Sequence, residues 1–295
     1  IYVIEFINKK RVRNARLEEI RRSFEHAKAR IRLGIKYDGV FEFSPENEMK
    51  IEVNPDYDIY FVIGKKFEEN LHKIGVKAYE GTLVLRKLYG EEHYFSPKLI
   101  AVVKKRTDES LEANCFGEGK KHEIKNIMKR NEKFIKKMEI ISLNFIENLG
   151  DKIYVPISGG KDSTAALVLA KKCFGDVKAI YVKTNYEMPY TEEYINYLER
   201  RLNVNVIEEK IYFDIKKYGL PTHENRWCTA LKISAIKKYA DGILIAGDRE
   251  AESRIRRLRP EKMDNEVFPL KYWSGAMVQL YLLMNNIRLH PLYYE

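Results

Sequence analysis

The sequence predicts an α/β protein whose second half is a parallel sheet with helices on both faces, preceded by a smaller, sheet-rich α+β module. The first observation is the stretch 153–170, where a short apolar run, a glycine-containing turn and an amphipathic segment follow one another directly. The second is that strand-like and helix-like segments keep alternating after residue 151, which implies parallel strands. The third is an apolar period near two between about residues 39 and 103.

The second half yields a clear set of elements from apolar spacing and turn residues. We expect strands over 153–157, 177–182, 204–208 and 243–246. We expect helices over 122–149, 161–174, 191–202, 228–239 and 277–285. Ligands of such sheets bind beyond the carboxyl ends of the strands, so the residues just after each strand are the candidates for function.

The first half begins with an apolar stretch, residues 1–7, and then turns basic. Residues 13–33 have a helical apolar stripe opposite a basic face, which either lies along a phosphate backbone or is an ordinary solvated face. Strands are expected over 40–43, 50–53, 59–63, 83–85 and 99–103, with a helix over 66–74. Residues 107–119 are polar and predict a linker. The expected domains are therefore 1–120 and 121–295.

The strand rhythm of residues 1–120 resembles that of the PUA-type RNA-binding modules. That resemblance implies an RNA-binding role for the basic module. Packing against the second domain is the alternative.

Charge and cysteine content restrict the classes of partner and site. The 295 residues include 53 Lys and Arg against 43 Asp and Glu, a formal charge of +10 that favours acidic ligands or RNA. The three cysteines, Cys115, Cys173 and Cys228, are too few for a four-cysteine zinc or iron–sulfur site within this chain, and they fit a reducing cytoplasm. No apolar run approaches the roughly 20 residues of a membrane helix, so no membrane role is expected.

The turn after the first strand of the second half is Ser158-Gly-Gly-Lys-Asp-Ser163. Two glycines let the backbone approach an anion, and the helix that follows directs its free N–H groups and positive dipole end into the same turn. This pattern predicts a phosphate cradle. A Walker A loop is excluded, because Val155 stands in place of its first glycine and Asp162 in place of its hydroxyl residue.

This hexapeptide resembles the PP-loop of the adenine-nucleotide α-hydrolase-like superfamily, matching its Ser-Gly-Gly-x-Asp-Ser at every fixed position. The resemblance implies a Rossmann-like fold and a site for ATP or an adenylyl sulfate. It also implies roles in catalysis for Lys161, which would neutralise charge, and for Asp162, which would orient the loop or a Mg²⁺ ion. The implied phosphate-binding residues are Ser158, Gly159, Gly160, Ser163 and Thr164.

The segment after the second strand carries another motif, Thr184-Asn-Tyr-Glu187-Met-Pro-Tyr-Thr191. It resembles the step that lines the adenosine pocket in the phosphoadenylyl-sulfate (PAPS) reductase branch of the superfamily. The resemblance implies that Thr184 and Glu187 contact the nucleotide. A structural alternative is that Thr191 caps the next helix.

Arg226-Trp-Cys-Thr, followed by Leu231-Lys232, is a further signature similar to that branch. Arg226 could hold a sulfate or phosphate. Cys228, at a helix start, would have its thiolate favoured and is a candidate catalytic thiol or ligand, with an inert buried cysteine as the alternative.

The last strand is followed by Gly247-Asp-Arg249-Glu-Ala-Glu252-Ser253, again similar to the branch's Gly-x-Arg-x-x-Glu-Ser step. Gly247 is thereby assigned to nucleotide binding. Arg249 is the candidate to clamp a negative group at the mouth of the cradle.

The resemblance implies a PAPS reductase-like enzyme of sulfur transfer that binds ATP, an adenylyl sulfate or PAPS, with a thiol or sulfur-donor protein as partner. One alternative is a thiolation-type enzyme that adenylates tRNA, delivered by the basic module, and releases pyrophosphate. A second alternative is a nucleotide-binding regulator without turnover.

Overall fold

A computed structural model describes residues 15–87, 90–150, 152–222, 225–239 and 241–295. The predicted apolar stretch 1–7, the start of the predicted helix at Arg13 and the basic residues before position 15 lie outside the described residues. Among the described helices, none is both long and apolar enough to cross a membrane.

The described part of the first half consists of two helices, a hairpin and an antiparallel sheet. The helices are α1 (Leu17–Leu33) and α2 (Lys65–Lys73), and the hairpin pairs β1 (Ile35–Tyr37) with β2 (Phe41–Phe43). The five-stranded sheet follows chain order: β3 (Asp58–Phe61), β4 (Leu83–Arg86), β5 (Glu92–Phe95), β6 (Leu99–Lys105) and β7 (Leu111–Cys115).

Two sequence expectations for this half are wrong. The predicted linker 107–119 contains β7, which pairs with β6 from Ala101↔Cys115 to Lys105↔Leu111, so a polar edge strand was mistaken for a loop. The predicted strand 50–53 is irregular. There the Asn47 side chain bonds both the N–H and the carbonyl of Ile51, which replaces a strand partner.

The second half contains the predicted parallel sheet. Its elements are α3 (Ile124–Ile146), β8 (Ile153–Ile157), α4 (Lys161–Phe174), β9 (Lys178–Lys183), α5 (Thr191–Leu202), β10 (Asn205–Lys210), α6 (Ile215–Tyr218), α7 (Trp227–Ile236), β11 (Ile243–Ile245), α8 (Arg254–Leu258), β12 (Lys262–Met263), β13 (Glu266–Val267) and α9 (Gly275–Met284). Single 3₁₀ turns cover Lys237–Tyr239, Glu250–Glu252 and Pro291–Tyr294.

The strand order is β10-β9-β8-β11-β13-β12, and only β12 is antiparallel to its neighbour. The first strand of this sheet, β8, therefore lies between its second and fourth strands, β9 and β11. The strand order reverses between β8 and β11, which is where a doubly wound sheet opens a crevice for ligands.

Helices cover both faces of the sheet, as predicted. Val155 and the apolar residues of α4 belong to one buried cluster. Tyr154, one residue earlier and so on the opposite face, packs with Ala235 of α7 in another.

The largest hydrophobic core does not stop at residue 120. It contains Phe41, Ile59 and Phe61 of the first half together with Trp273 and Met277 of the second. At the junction, the Gln279 side chain of α9 bonds both the N–H and the carbonyl of Phe61, at 2.8 Å and 3.1 Å. The two halves therefore share one core, while the position of the domain boundary stays a prediction.

Candidate functional site

The loop between β8 and α4 lies at the carboxyl end of β8, beside the crevice. Gly159 has φ of +75°, a left-handed conformation that favours glycine, and a Cβ there would lie 3.3 Å from the His290 ring. Ser158 is exposed, and Gly160, Lys161 and Asp162 are half-buried. The loop is thus open to a ligand on one side and closely packed on the other.

Two hydroxyl groups hold the loop in shape. Ser163 Oγ accepts the N–H of Ser158 at 3.2 Å and donates to the carbonyl of Gly160 at 3.0 Å. Thr164 Oγ1 donates to the same carbonyl at 2.9 Å and is fully buried. The placement of Thr164 suits support of the loop rather than contact with a ligand.

The amino end of α4 supplies the donors of the cradle, because N–H groups of a first helical turn lack intrahelical acceptors. That of Lys161 donates to the hydroxyl of Tyr293, at 3.2 Å. Tyr293 belongs to the 3₁₀ turn Pro291–Tyr294, which therefore lies against the amino end of α4. The sequence predicts no role for Tyr293, because it is 132 positions from Lys161 and only tertiary packing brings the two residues into contact.

A row of alternating charges runs inward from the loop. Lys161 Nζ lies 2.7 Å from Asp162 Oδ2, and Asp162 Oδ1 lies 2.7 Å from Arg249 Nε. On its inner side, Arg249 Nη1 donates to Asp58 Oδ2 at 2.8 Å and to the carbonyl of Trp273 at 3.2 Å. Only 2% of the Arg249 side chain is exposed, so the structure places it beneath the cradle rather than at its mouth.

The charges in this row shift the pKa values of Asp162, Asp58 and Arg249. Burial alone would raise the pKa of Asp162, but Arg249 and Lys161 outweigh it and hold that pKa below its usual value. The pKa of Asp58 is lowered against its burial in the same way. Burial would lower the pKa of Arg249, and the two aspartates reverse this and raise it. The two aspartates and Arg249 are therefore ionised at neutral pH.

The residues present do not fit a Mg²⁺ ion on Asp162, because both of its carboxylate oxygens already bind cationic side chains. Within the described residues, no group of three or more His, Cys, Asp or Glu side chains could hold a metal ion. The three cysteines are dispersed over β7, α4 and α7.

Gly247 brings the end of β11 against the first turn of α4. A Cβ at this position would lie 2.5 Å from the carbonyl carbon of Asp162 and 2.7 Å from the N–H nitrogen of Ser163. The glycine thus allows the close approach on which the Asp162–Arg249 contact depends.

Thr184 and Glu187 lie together at the carboxyl end of β9. Both the N–H and the hydroxyl of Thr184 donate to Glu187 Oε1, at 2.8 Å and 2.7 Å. The predicted cap at Thr191 is wrong: Tyr190 holds the N-cap position, and Thr191 is buried with its hydroxyl 3.3 Å from His290 Nε2.

Arg226 and Cys228 lie at the start of α7, on the sheet face opposite α4. Arg226 is exposed and Cys228 half-buried. Trp227 between them packs on Phe213, whose N–H and carbonyl bond the Asn185 side chain at 2.7 Å and 3.2 Å. The start of α7 is therefore joined to the loop after β9.

Residues 152–295 match the model of the phosphoadenosine phosphosulfate reductase domain family. This segment is a PAPS reductase domain.

Similarity to other proteins covers more of the chain than this segment. An uncharacterised protein of Methanocaldococcus jannaschii is 31% identical over 57% of this chain and 39% of its own length, so the chain spans well under half of that relative. Two solved structures are also similar. The NH₃-dependent NAD synthetase of Campylobacter jejuni has 18% identity, a TM-score of 0.41, and coverage of 55% of this chain and 76% of its own. The U34-tRNA thiolase of Methanococcus maripaludis, with its [4Fe-4S] cluster, has 16% identity, a TM-score of 0.42, and coverage of 59% and 72%.

The predicted residues of the PAPS reductase domain fall into two groups. At the β8–β11 crevice the structure brings together the loop residues Ser158, Gly159, Gly160, Lys161, Asp162, Ser163 and Thr164 with Gly247 and Arg249. Thr184 and Glu187 lie together at the end of β9, and Arg226 and Cys228 lie at the start of α7, which Trp227, Phe213 and Asn185 join to the loop after β9. Asp58, outside the PAPS reductase domain, was missed by sequence reasoning because nothing distinguishes it from an ordinary strand-edge aspartate.

Proposed function

We propose that this chain is an enzyme that binds an adenine nucleotide, either ATP or an adenylyl sulfate such as PAPS, with its phosphates at the amino end of α4. The observation that carries the proposal is the position of the open Ser158–Ser163 loop. It joins a buried strand to a helix start at the point where the strand order reverses. Free N–H groups and a positive dipole end at such a point favour a bound anion.

The adenosine would extend along the sheet edge towards the end of β9. Thr184 and Glu187 lie there, and the exposed Tyr186 next to them offers an aromatic face for the base. This orientation uses both groups of predicted residues for one ligand.

The reaction would occur at the phosphate or sulfate nearest the loop. Negative charge that develops there would be stabilised by the Lys161 ammonium and the first-turn N–H groups, which are already oriented before the ligand arrives. With an adenylyl sulfate, a thiolate of this chain or of a donor protein would attack the sulfate sulfur, and an S–S bond would form. The bond between that sulfur and the phosphate oxygen would break, and the adenosine phosphate would leave. Among the described cysteines, the candidate thiol is Cys228, because the start of α7 lies at the carboxyl edge of the sheet.

The test is calorimetric titration of the full chain with ATP, adenosine 5′-phosphosulfate and PAPS. Lys161→Ala should weaken binding by about 1.5–3 kcal/mol, the worth of a charge-assisted contact, which is roughly tenfold or more in Kd. Lys172→Ala is the matched control: it lies on the same helix, at the far end, and pairs with Glu139. Equal affinity in both variants would contradict the assignment of the cradle.

Transfer of adenylate from ATP to RNA is a second candidate, favoured by the exposed Arg21 and Arg22 of α1 and by the net charge of +10. RNA binding should weaken steeply with salt and should fall when both arginines are changed to glutamate. If neither added salt nor the replacement of both arginines weakens RNA binding, this second candidate function is excluded. A nucleotide-binding regulator would bind ATP without releasing pyrophosphate, so a pyrophosphate assay separates it from either enzyme.

A further inference from the structure

The buried end of the charge row belongs to the first half of the chain. Asp58 is the first residue of β3, is 3% exposed, and is the inner partner of Arg249 at 2.8 Å. The order Asp58, Arg249, Asp162, Lys161 thus connects an antiparallel strand to the first turn of α4, although Asp58 lies outside residues 152–295.

Asp58 is itself held in place by main-chain donors. Its Oδ1 accepts the N–H of Gly275, the first residue of α9, at 2.9 Å and the N–H of Ile59 at 3.0 Å. Gly275 permits this approach, since a Cβ there would lie 3.0 Å from the Ile59 carbonyl and 3.2 Å from Asp58 Oδ2. Both carboxylate oxygens are therefore used, one by the β3–α9 junction and one by Arg249.

The balance of charge shows why two carboxylates are needed. Arg249 is buried, and an unpaired buried cation is strongly disfavoured. Asp162 shares its carboxylate between Arg249 and Lys161, so it cannot compensate Arg249 alone without releasing Lys161. With Asp58 in place, Asp162 can hold Lys161 at the loop.

We infer that Asp58 is a positioning residue of the nucleotide site. It fixes Arg249, Arg249 fixes Asp162, and Asp162 holds the Lys161 ammonium beside the phosphate cradle. The first half of the chain is then part of the site and not an appended module. This inference rests on the proposed function, since it concerns affinity for the nucleotide bound at that loop.

The experiment compares nucleotide binding by full-length Asp58→Asn and Gln279→Met. Gln279 is the matched control because it joins the same two elements, β3 and α9, through two hydrogen bonds to the main chain of Phe61 rather than through the charge row. Asp58→Asn should weaken binding of ATP or adenosine 5′-phosphosulfate by about tenfold, as for loss of a charge-assisted contact, while Gln279→Met stays close to wild type. Equal affinities in the two variants would overturn the inference.

Asp58→Ser is measured alongside in case the asparagine variant does not fold. Its hydroxyl keeps an acceptor for the Gly275 N–H and leaves room for water beside Arg249. It should show the same loss of affinity, and wild-type affinity in a folded Asp58→Ser protein would overturn the inference.

A measurement on the wild-type chain needs no variant. If the nucleotide and Asp58 are coupled, bound nucleotide stabilises the Asp58 contacts in return. Amide exchange at Ile59 and Gly275 should then slow more than at Phe61, whose N–H is bound by Gln279 instead. Uniform slowing at all three would overturn the inference, whereas a wild-type chain that binds no nucleotide would overturn the proposed function.

Discussion

At the residue scale, the two cations beside Asp162 differ in what they can reach. Lys161 is 13% exposed and lies on the loop side of the carboxylate, whereas Arg249 is 2% exposed and turns towards Asp58. A ligand in the crevice would therefore meet the lysine, and the arginine would act through the aspartate. This division explains why a change of either residue should affect binding, but for different reasons.

Gly247→Ala tests the close approach between β11 and α4. The added methyl group would lie 2.5 Å from the Asp162 backbone, so either element must shift, and we expect a loss of about 1–3 kcal/mol in the free energy of unfolding. Gly117→Ala is the control, because nothing lies within 4 Å of its Cβ position. Urea unfolding measures both, and a neutral Gly247→Ala would show that the contact is loose.

At the element scale, the 3₁₀ turn Pro291–Tyr294 lies against the amino end of α4, where the proposed nucleotide would bind. The hydroxyl of Tyr293 accepts a hydrogen bond from the Lys161 N–H, and His290, which precedes the turn, packs against Gly159. Burial lowers the pKa of His290, whose Nδ1 accepts the N–H of Leu292, so the ring is neutral at pH 7. The turn thus supports the loop and occupies one of its donors.

Tyr293→Phe should separate these two effects. Loss of the hydroxyl should lower the free energy of unfolding by about 0.5–1.5 kcal/mol, the worth of one hydrogen bond. It should also tighten nucleotide binding, because a phosphate no longer displaces the hydroxyl from the Lys161 N–H. Calorimetry and urea unfolding on the same preparation measure both. Weaker binding would mean that the tyrosine contacts the nucleotide itself.

The stability that the charge row between β3 and α4 contributes should depend on pH. Asp58 and Asp162 have pKa values below that of the unfolded chain, about 3.9, despite burial, because of Arg249 and Lys161. A lowered pKa contributes stability that is complete above the unfolded value and is lost as pH falls through the folded value. Unfolding free energy should therefore drop steeply below about pH 4.

Asp58→Asn should flatten that acid decline, as measured by urea unfolding between pH 7 and pH 3. Glu132→Gln is the control, since this carboxylate pairs with Lys136 on the exposed surface of α3 and contributes little. An unchanged slope in Asp58→Asn would show that the row does not govern acid stability.

At the scale of the whole molecule, the two halves are joined by apolar packing and by buried charge. Besides the shared core, Arg32 and Lys28 of α1 pair with Glu250, next to Arg249, and Arg86 of β4 donates to the carbonyl of Ala251. With the contact between Asp58 of β3 and Arg249, the segment after β11 is therefore held by three elements of the first half, α1, β3 and β4. A sequence boundary near residue 120 does not imply that either side is independent.

Residues 121–295 alone should not fold cooperatively. Removal of Phe41, Ile59, Phe61 and Leu83 would expose their partners in the core, at about 1.5–3 kcal/mol for each buried side chain. That loss is comparable with the ~5–15 kcal/mol total stability of a typical protein. Thermal unfolding followed by circular dichroism, with the full chain as control, measures this. A sharp transition in the fragment would contradict it.

The sequence by itself determined the parallel sheet and the glycine-containing loop between β8 and α4. The observed bounds of β8, α4 and α5 agree with the predicted ones, because apolar period, glycine turns and helix starts are local signals. Only the tertiary structure decided what surrounds that loop. Arg249 is buried on Asp58 across 191 positions, and β7 forms an edge strand where a linker was expected. Such contacts depend on packing between distant segments, and no local pattern in Asp58 or Leu111–Cys115 encodes them.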